Sequence, residues 1–217
     1  MKPILFNTAM VQAILEGRKT TTRRIVKDID NNYTYLGSDK QKTTVSFSRK
    51  TTGLPLIIKI PYKVGDILYV RETWIIQSMK NFEKNVKFLY KARPTKLNEV
   101  HVSNKRYEEM LKFECKNGWQ PNLFMPKEAA RIFLKVKDVR VERLQDMKFS
   151  DLRKEGITPD KEYEEFKNAV EANLEVKFAT LWDSTVNKKD IDQYGFIANP
   201  WVWVIEFERI EKSEVEQ

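Results

Sequence analysis

Apolar positions recur along this chain with two periods, and those periods predict its elements. Met10, Val11, Ile14 and Leu15 fall at helical spacing behind Thr8, a residue suited to cap a helix N-terminus. Gly17 stands where a left-handed residue ends a helix. The segment Gly17-Arg18-Lys19-Thr20-Thr21-Thr22-Arg23-Arg24 is then predicted to be a loop that enters a strand at Ile25 and Val26. Tyr33 to Leu36 and Thr43 to Phe47 alternate around Gly37-Ser38-Asp39 and predict an exposed hairpin. Ile57, Ile58 and Ile60 lead to the turn Val64-Gly65-Asp66. The strand Ile67 to Trp74 follows, apolar at first and polar at Arg71 and Glu72, so it is expected to start in a core and end at a rim.

Farther on, Val86 to Tyr90 reads as a strand and Lys105 to Phe113 as a short helix. Ile132, Leu134, Val136, Val139 and Val141 alternate with Lys135, Lys137, Arg140 and Glu142, which predicts a long half-exposed strand. Ser150 is expected to cap a short helix stopping at Gly156. Tyr163, Phe166, Val170, Leu174, Phe178 and Leu181 predict an amphipathic helix over 160–182. The strand Trp201 to Phe207 is apolar on both faces. This order has no βαβ rhythm, so it predicts an α+β fold on a mixed, curved or closed sheet, in one domain spanning 1–217.

Composition narrows the function. With 41% apolar and 32% charged residues among 217, the chain can bury a core. No apolar run approaches the ~20 residues of a membrane helix, so no membrane partner is expected. The opening Met1-Lys2-Pro3-Ile4-Leu5-Phe6 runs straight into polar sequence, which predicts no signal peptide. Cys115 is the single cysteine and His101 the single histidine, which suits a reducing cytoplasm and leaves little for a metal site. His101 sits in what reads as a surface loop. Residues 1–65 hold twelve Lys and Arg against four Asp and Glu, whereas the rest of the chain is balanced at 27 of each. A basic region on a neutral body points to a polyanion, nucleic acid first, or else to a solvated surface.

Within that region Lys19 and Thr22 lie three residues apart, with Arg24 two further on. Arg18, Arg23 and Arg24 crowd the lysine, and like charge lowers an ammonium pKa. Such a lysine can activate a neighbouring hydroxyl, with Glu72 holding the lysine or protonating a leaving group. Solvated or phosphate-binding side chains are the alternative.

Gly17-x-Lys19-x-x-Thr22-x-Arg24 resembles the G-x-K-x-x-T-x-R motif of the ASCH domain, a member of the PUA-like β-barrel superfamily. Further blocks resemble the longer, phage- and prophage-associated ASCH proteins. They are Pro61-Tyr62 with Gly65-Asp66 and Val70-Arg71-Glu72-Thr73-Trp74, then Trp119-x-Pro121 with Met125-Pro126 and Ala130-Arg131-Ile132. Asp138 to Leu144 and Asn199-Pro200-Trp201-Val202-Trp203-Val204 complete the series. The resemblance implies a mixed β-barrel with flanking helices, binding RNA or a nucleotide without cofactor or metal, and additions at about 28–56, 78–118 and 145–198. Short ASCH proteins are N4-acetylcytidine amidohydrolases, and their catalytic Lys, Thr and Glu fall by position on Lys19, Thr22 and Glu72. Thr22 would attack, Lys19 would activate it, and Glu72 would handle the proton on the departing amine. Gly17, Arg24, Arg71, Trp74, Trp119, Asn199 and Trp201 are the candidate nucleic-acid or nucleotide contacts. Arg24 and Arg71 read equally as salt-bridge residues, Trp74, Trp119 and Trp201 as packing, and Asn199 as a turn. The other readings are a non-catalytic nucleic-acid binder, or a phage accessory or morphogenesis protein whose barrel makes protein contacts.

Overall fold

The computed structural model describes residues 1–114, 118–163 and 167–215. Cys115 and Phe166 lie outside the described residues. The chain is α+β, with several separate sheets and five α-helices among the described residues. It divides into two compact units, each assembled from distant stretches of sequence.

The first unit comprises Met1–Gly17, Ile67–Lys135 and Arg209–Gln217. Strand β1 (Lys2–Leu5) leads to helix α1 (Thr8–Leu15), whose N-cap is Asn7 and not Thr8. Asn7 lies one residue closer to the helix start and accepts the Met10 N–H on its Oδ1 at 2.9 Å, satisfying one of the orphan donors there. Gly17 ends this helix with φ +74°, the left-handed position its sequence placement predicts. β1 pairs in parallel with β6 (Ile67–Arg71), Lys2 opposite Leu68. β6 pairs antiparallel with the first residues of β10 (Phe133–Arg143). The strand read as continuous from Ile67 to Trp74 breaks at Glu72 and Thr73. Its second half, β7 (Trp74–Lys80), joins a different sheet with β8 (Asn85–Tyr90) and β9 (Asn98–His101). Helix α2 (Asn104–Glu114) belongs to this unit, and His101 is exposed at the end of β9. Trp74, Phe88, Tyr90, Tyr107 and Met125 form the centre of its core.

The second unit comprises Arg18–Asp66 and Val136–Glu208. Here β10 lies beside β11 (Trp201–Ile210), and β11 pairs antiparallel with β2 (Thr21–Ile25), Ile205 opposite Thr22. The motif segment is thus half strand: extension begins at Thr21, four residues earlier than its loop reading, because Thr21 and Thr22 are β-branched and β11 offers them a partner. A three-stranded antiparallel sheet follows, β3 (Tyr33–Ser38), β4 (Thr44–Arg49) and β5 (Pro55–Lys59). Helix α3 (Phe149–Lys154) begins one residue before Ser150, which lies inside its first turn and not at its cap. Helix α4 (Lys167–Thr185) buries Val170, Leu174 and Phe178, whereas Tyr163 sits in a separate short turn and is exposed. Helix α5 (Ile191–Tyr194) completes the layer, and Leu144, Leu152, Trp182, Val202 and Val204 join it in one cluster. The two apolar faces expected of β11 are both buried, Val202 and Val204 as well as Trp203, Ile205 and Phe207. No sheet closes into a barrel among the described residues.

Candidate functional site

Lys19 reaches its position through an isolated antiparallel bridge to Glu155, the residue that ends α3. The Thr20 N–H donates to the Lys154 carbonyl at 2.8 Å, so backbone as well as side chain docks this segment on the helix end. The Lys19 side chain is fully buried. Its Nζ donates to Glu155 Oε2 at 2.5 Å and to the Glu155 carbonyl at 3.0 Å. Arg23 is buried as well. Its Nη1 donates to Glu155 Oε1 at 2.9 Å, and its Nε and Nη2 donate to Glu142 Oε1 at 3.1 and 2.6 Å. Asp151 lies 3.7 Å away. Arg18 donates to the Gly156 carbonyl.

A charged group buried away from water needs a partner, and one carboxylate here serves two cations. Burial presses the Lys19 ammonium below its usual pKa; Glu155 opposes the shift, while Arg24 and Arg23 add to it. The direction agrees with the like-charge expectation, but desolvation is the larger cause. Burial likewise lowers the half-buried Arg24, whose Nη1 donates to the Arg23 carbonyl at 3.3 Å. Thr22 is 1% exposed on β2, and strand alternation puts it on the same face as Arg24 and opposite Thr21 and Arg23.

Glu72 occupies the first unit and has its own partner. It is 1% exposed and not at a rim, because Arg131 carries its charge there through two parallel bonds of 2.9 Å. Its backbone N–H meets Met125 Sδ at 3.2 Å. The Arg131 guanidinium lies 4.0 Å from the Tyr90 ring centroid, and Asn98 donates to the Tyr90 hydroxyl at 3.0 Å. Burial raises the Glu72 pKa although Arg131 opposes it, and burial raises the Tyr90 phenol also. The described partners are therefore Glu155 for Lys19 and Arg131 for Glu72.

The remaining candidates are spread over the chain. Arg71 donates to the Leu123 carbonyl at 3.1 Å and lies 5.7 Å over the Tyr69 ring, with its Nε buried and lacking a hydrogen-bond partner among the described residues. Trp74 is fully buried, its Nε1 donating to the Pro121 carbonyl at 3.3 Å. Trp119 is 39% exposed. Trp201 packs against Tyr35 and Phe47 at 6.2 and 5.5 Å, under the Arg143 guanidinium at 4.2 Å. Asn199 adopts φ +48° and accepts the Gln145 N–H on Oδ1 at 2.8 Å. Among the described residues, no three His, Cys, Asp or Glu side chains group as a metal would require, and no helix is long and apolar enough to cross a membrane.

Sequence reasoning missed Glu155, Glu142 and Arg131. Glu155 had a usable signal: a carboxylate at the C-terminal end of a helix opposes the helix dipole and calls for a cation. Arg131 stands alone between Ala130 and Ile132, both buried, which marks a cation entering a core. No family model, no curated protein and no solved structure matches this chain.

Proposed function

We propose that this chain is an ASCH-like, PUA-like protein that binds RNA or a nucleotide. The observation that carries the reading is how the basic third of the chain is used. Lys19 and Arg23 are held by Glu155 and Glu142, whereas Lys27, Lys40, Lys50, Lys59 and Lys63 are exposed and have no ion-pair partner among the described residues. Five unneutralised lysines within 37 residues are suited to phosphates. The five ordered sequence blocks add the family reading, in which the stretches at 28–56, 78–118 and 145–198 are additions to the ASCH core.

The test is fluorescence anisotropy with a mixed-sequence single-stranded RNA of 20 nucleotides between 50 and 300 mM KCl. Each phosphate contacted contributes about 0.7 to the slope of log affinity against log salt, so a slope of roughly −2 to −4 is expected. A slope near zero removes the reading.

Burial lowers the Lys19 pKa, the direction a general base requires, and this supports amide hydrolysis as a second reading. The overall reaction would convert N4-acetylcytidine and water into cytidine and acetate, with Thr22 Oγ1 attacking the acetyl carbon. Cytidine release followed by chromatography tests it. Absence of turnover, or turnover undiminished in Lys19→Ala, eliminates it.

A further inference from the structure

The cations of the basic third divide by position. Arg18, Lys19 and Arg23 point into the second unit and are bound to Gly156, Glu155 and Glu142. Lys40, Arg49, Lys50, Lys59 and Lys63 instead lie around the sheet β3–β4–β5. Lys40 lies in the β3–β4 turn, Lys59 opposite Thr44 at the end of β5, and Lys63 in the turn beyond it. Arg49 and Lys50 lie at the other end, where Tyr33 pairs with Arg49 and the Lys50 N–H donates to the Asn32 carbonyl.

One face of this sheet is committed: Val45 and Phe47 are buried, with Tyr35 and Phe47 packed on Trp201. The opposite face carries Thr34, Thr44, Ser46, Ser48, Ile57 and Lys59 by strand alternation. It presents hydroxyls and the exposed Ile57 between Lys40, Lys59 and Lys63 at one end and Lys50 at the other, with no aromatic ring for a base to stack on; Arg49 falls on the committed face, over the Tyr33 ring at 5.8 Å. From Thr44 to Arg49 the strand advances five steps, about 17 Å. Along the axis of a B-form duplex, where one strand rises about 3.4 Å per phosphate, this length spans about five base-pair steps.

We infer that this outer face is where the phosphate backbone of a nucleic acid docks, without reading its bases. The inference rests on the RNA-binding reading above and adds the surface and the mode of contact. Lysines at both ends anchor phosphates, and the Thr and Ser hydroxyls between them donate to phosphate oxygens.

The experiment compares two charge-reversed triples, both built from exposed lysines. One is Lys40→Glu/Lys50→Glu/Lys59→Glu; the other is Lys96→Glu/Lys105→Glu/Lys188→Glu, outside the sheet. The probes are the same 20-nucleotide RNA and its duplex, and thermal melting verifies that both variants fold. The sheet triple is expected to lose roughly ten- to hundredfold in affinity at 100 mM KCl and to flatten the salt slope by about 2. The control triple is expected to change affinity by less than about threefold, and affinity for oligo(U) and oligo(A) is expected to agree within about threefold. Equal loss in both triples, no loss in the sheet triple, or strong preference for one homopolymer overturns the inference. So does displacement of the RNA by poly-glutamate at equal charge concentration, which assigns the face to acidic proteins. If the wild-type chain binds no RNA, the functional reading falls as well; if it binds and the sheet triple binds equally, only this inference falls.

Discussion

Glu155 holds the ammonium of Lys19 at 2.5 Å, across 136 residues of sequence. The carboxylate comes from the end of α3, inside one of the stretches that the family resemblance marks as an addition, and it also carries Arg23. The motif lysine is thus fixed by a residue outside the motif.

This pair makes stability depend on pH in a defined direction. Burial lowers the Lys19 pKa in the folded state, while an unfolded lysine titrates near ~10.4. Between the two values the unfolded chain binds one more proton, so the unfolding free energy rises with pH across the window that ends near ~10.4. Urea unfolding followed upward in pH to about 10 is expected to show this rise, and Lys19→Met is expected to abolish it. Glu155→Gln removes the influence that opposes the shift, so the ¹³Cε titration of Lys19 should move to lower pH. An unmoved titration would falsify the assignment of Glu155 as the group that sustains the Lys19 charge.

The Glu72–Arg131 pair makes a separate prediction. Removing one partner of a buried ion pair strands the other, at about 3 kcal/mol. Arg131→Met is expected to cost that much in urea unfolding, whereas Glu72→Leu/Arg131→Met recovers most of it because no charge is left buried. Burial already raises the Glu72 pKa, and losing Arg131 raises it further. The stability of Arg131→Met should therefore decline as pH rises from about 4.3, the unfolded carboxyl value, through the raised folded value. If the double variant is no more stable than Arg131→Met, the pair is not what sets the cost.

Much of the element order was legible because it depends on local periodicity. The strands of the β3–β4 hairpin, β8, β10 and β11 and helices α1, α2 and α4 follow from alternation or 3.6-residue spacing. The break between β6 and β7 was not legible, since Glu72 looks like a rim residue unless one knows that Arg131 comes back to meet it. The same limit hid Glu155. A charge in the sequence gives no sign of burial until its distant partner is placed beside it, and both partners lie more than 50 residues away. The resemblance supplied Lys19, Thr22 and Glu72 as a set, but not the groups that hold each of them.

The three tryptophans left open between stacking and packing should separate by their energetics. Trp74 is fully buried against Phe88 and Phe113, so Trp74→Ala is expected to cost about 4 kcal/mol. Trp119 is partly exposed, and Trp119→Ala should change stability by less than about 0.5 kcal/mol. Trp201→Ala should fall between them, since it removes the contacts to Tyr35, Phe47 and Arg143 from a half-buried site. Equal costs for Trp74 and Trp119 would contradict this ordering. Weaker RNA binding in Trp119→Ala with unchanged stability would identify Trp119 as a ligand contact.

Asp39 organises the turn that presents Lys40. Its Oδ1 accepts the N–H groups of Thr43 and Thr44 at 2.7 and 2.6 Å, and its Oδ2 accepts the Thr43 hydroxyl at 2.7 Å. These bonds, the Thr43 hydroxyl foremost, hold its pKa down to about 2. A carboxyl lowered in this way stabilises the fold above the unfolded value near ~3.9, and that contribution is lost as pH falls through about 2. The ¹³Cγ resonance of Asp39 should therefore titrate near 2 in the folded protein. Asp39→Asn keeps the shape but loses the charge and one acceptor, so amide exchange at Thr43 and Thr44 should accelerate several-fold while amides in β11 stay protected. If the turn positions Lys40 for phosphate, the same substitution also weakens RNA binding, even though it makes the chain more basic. A gain in affinity would show that net charge, and not the geometry of this turn, governs the contact.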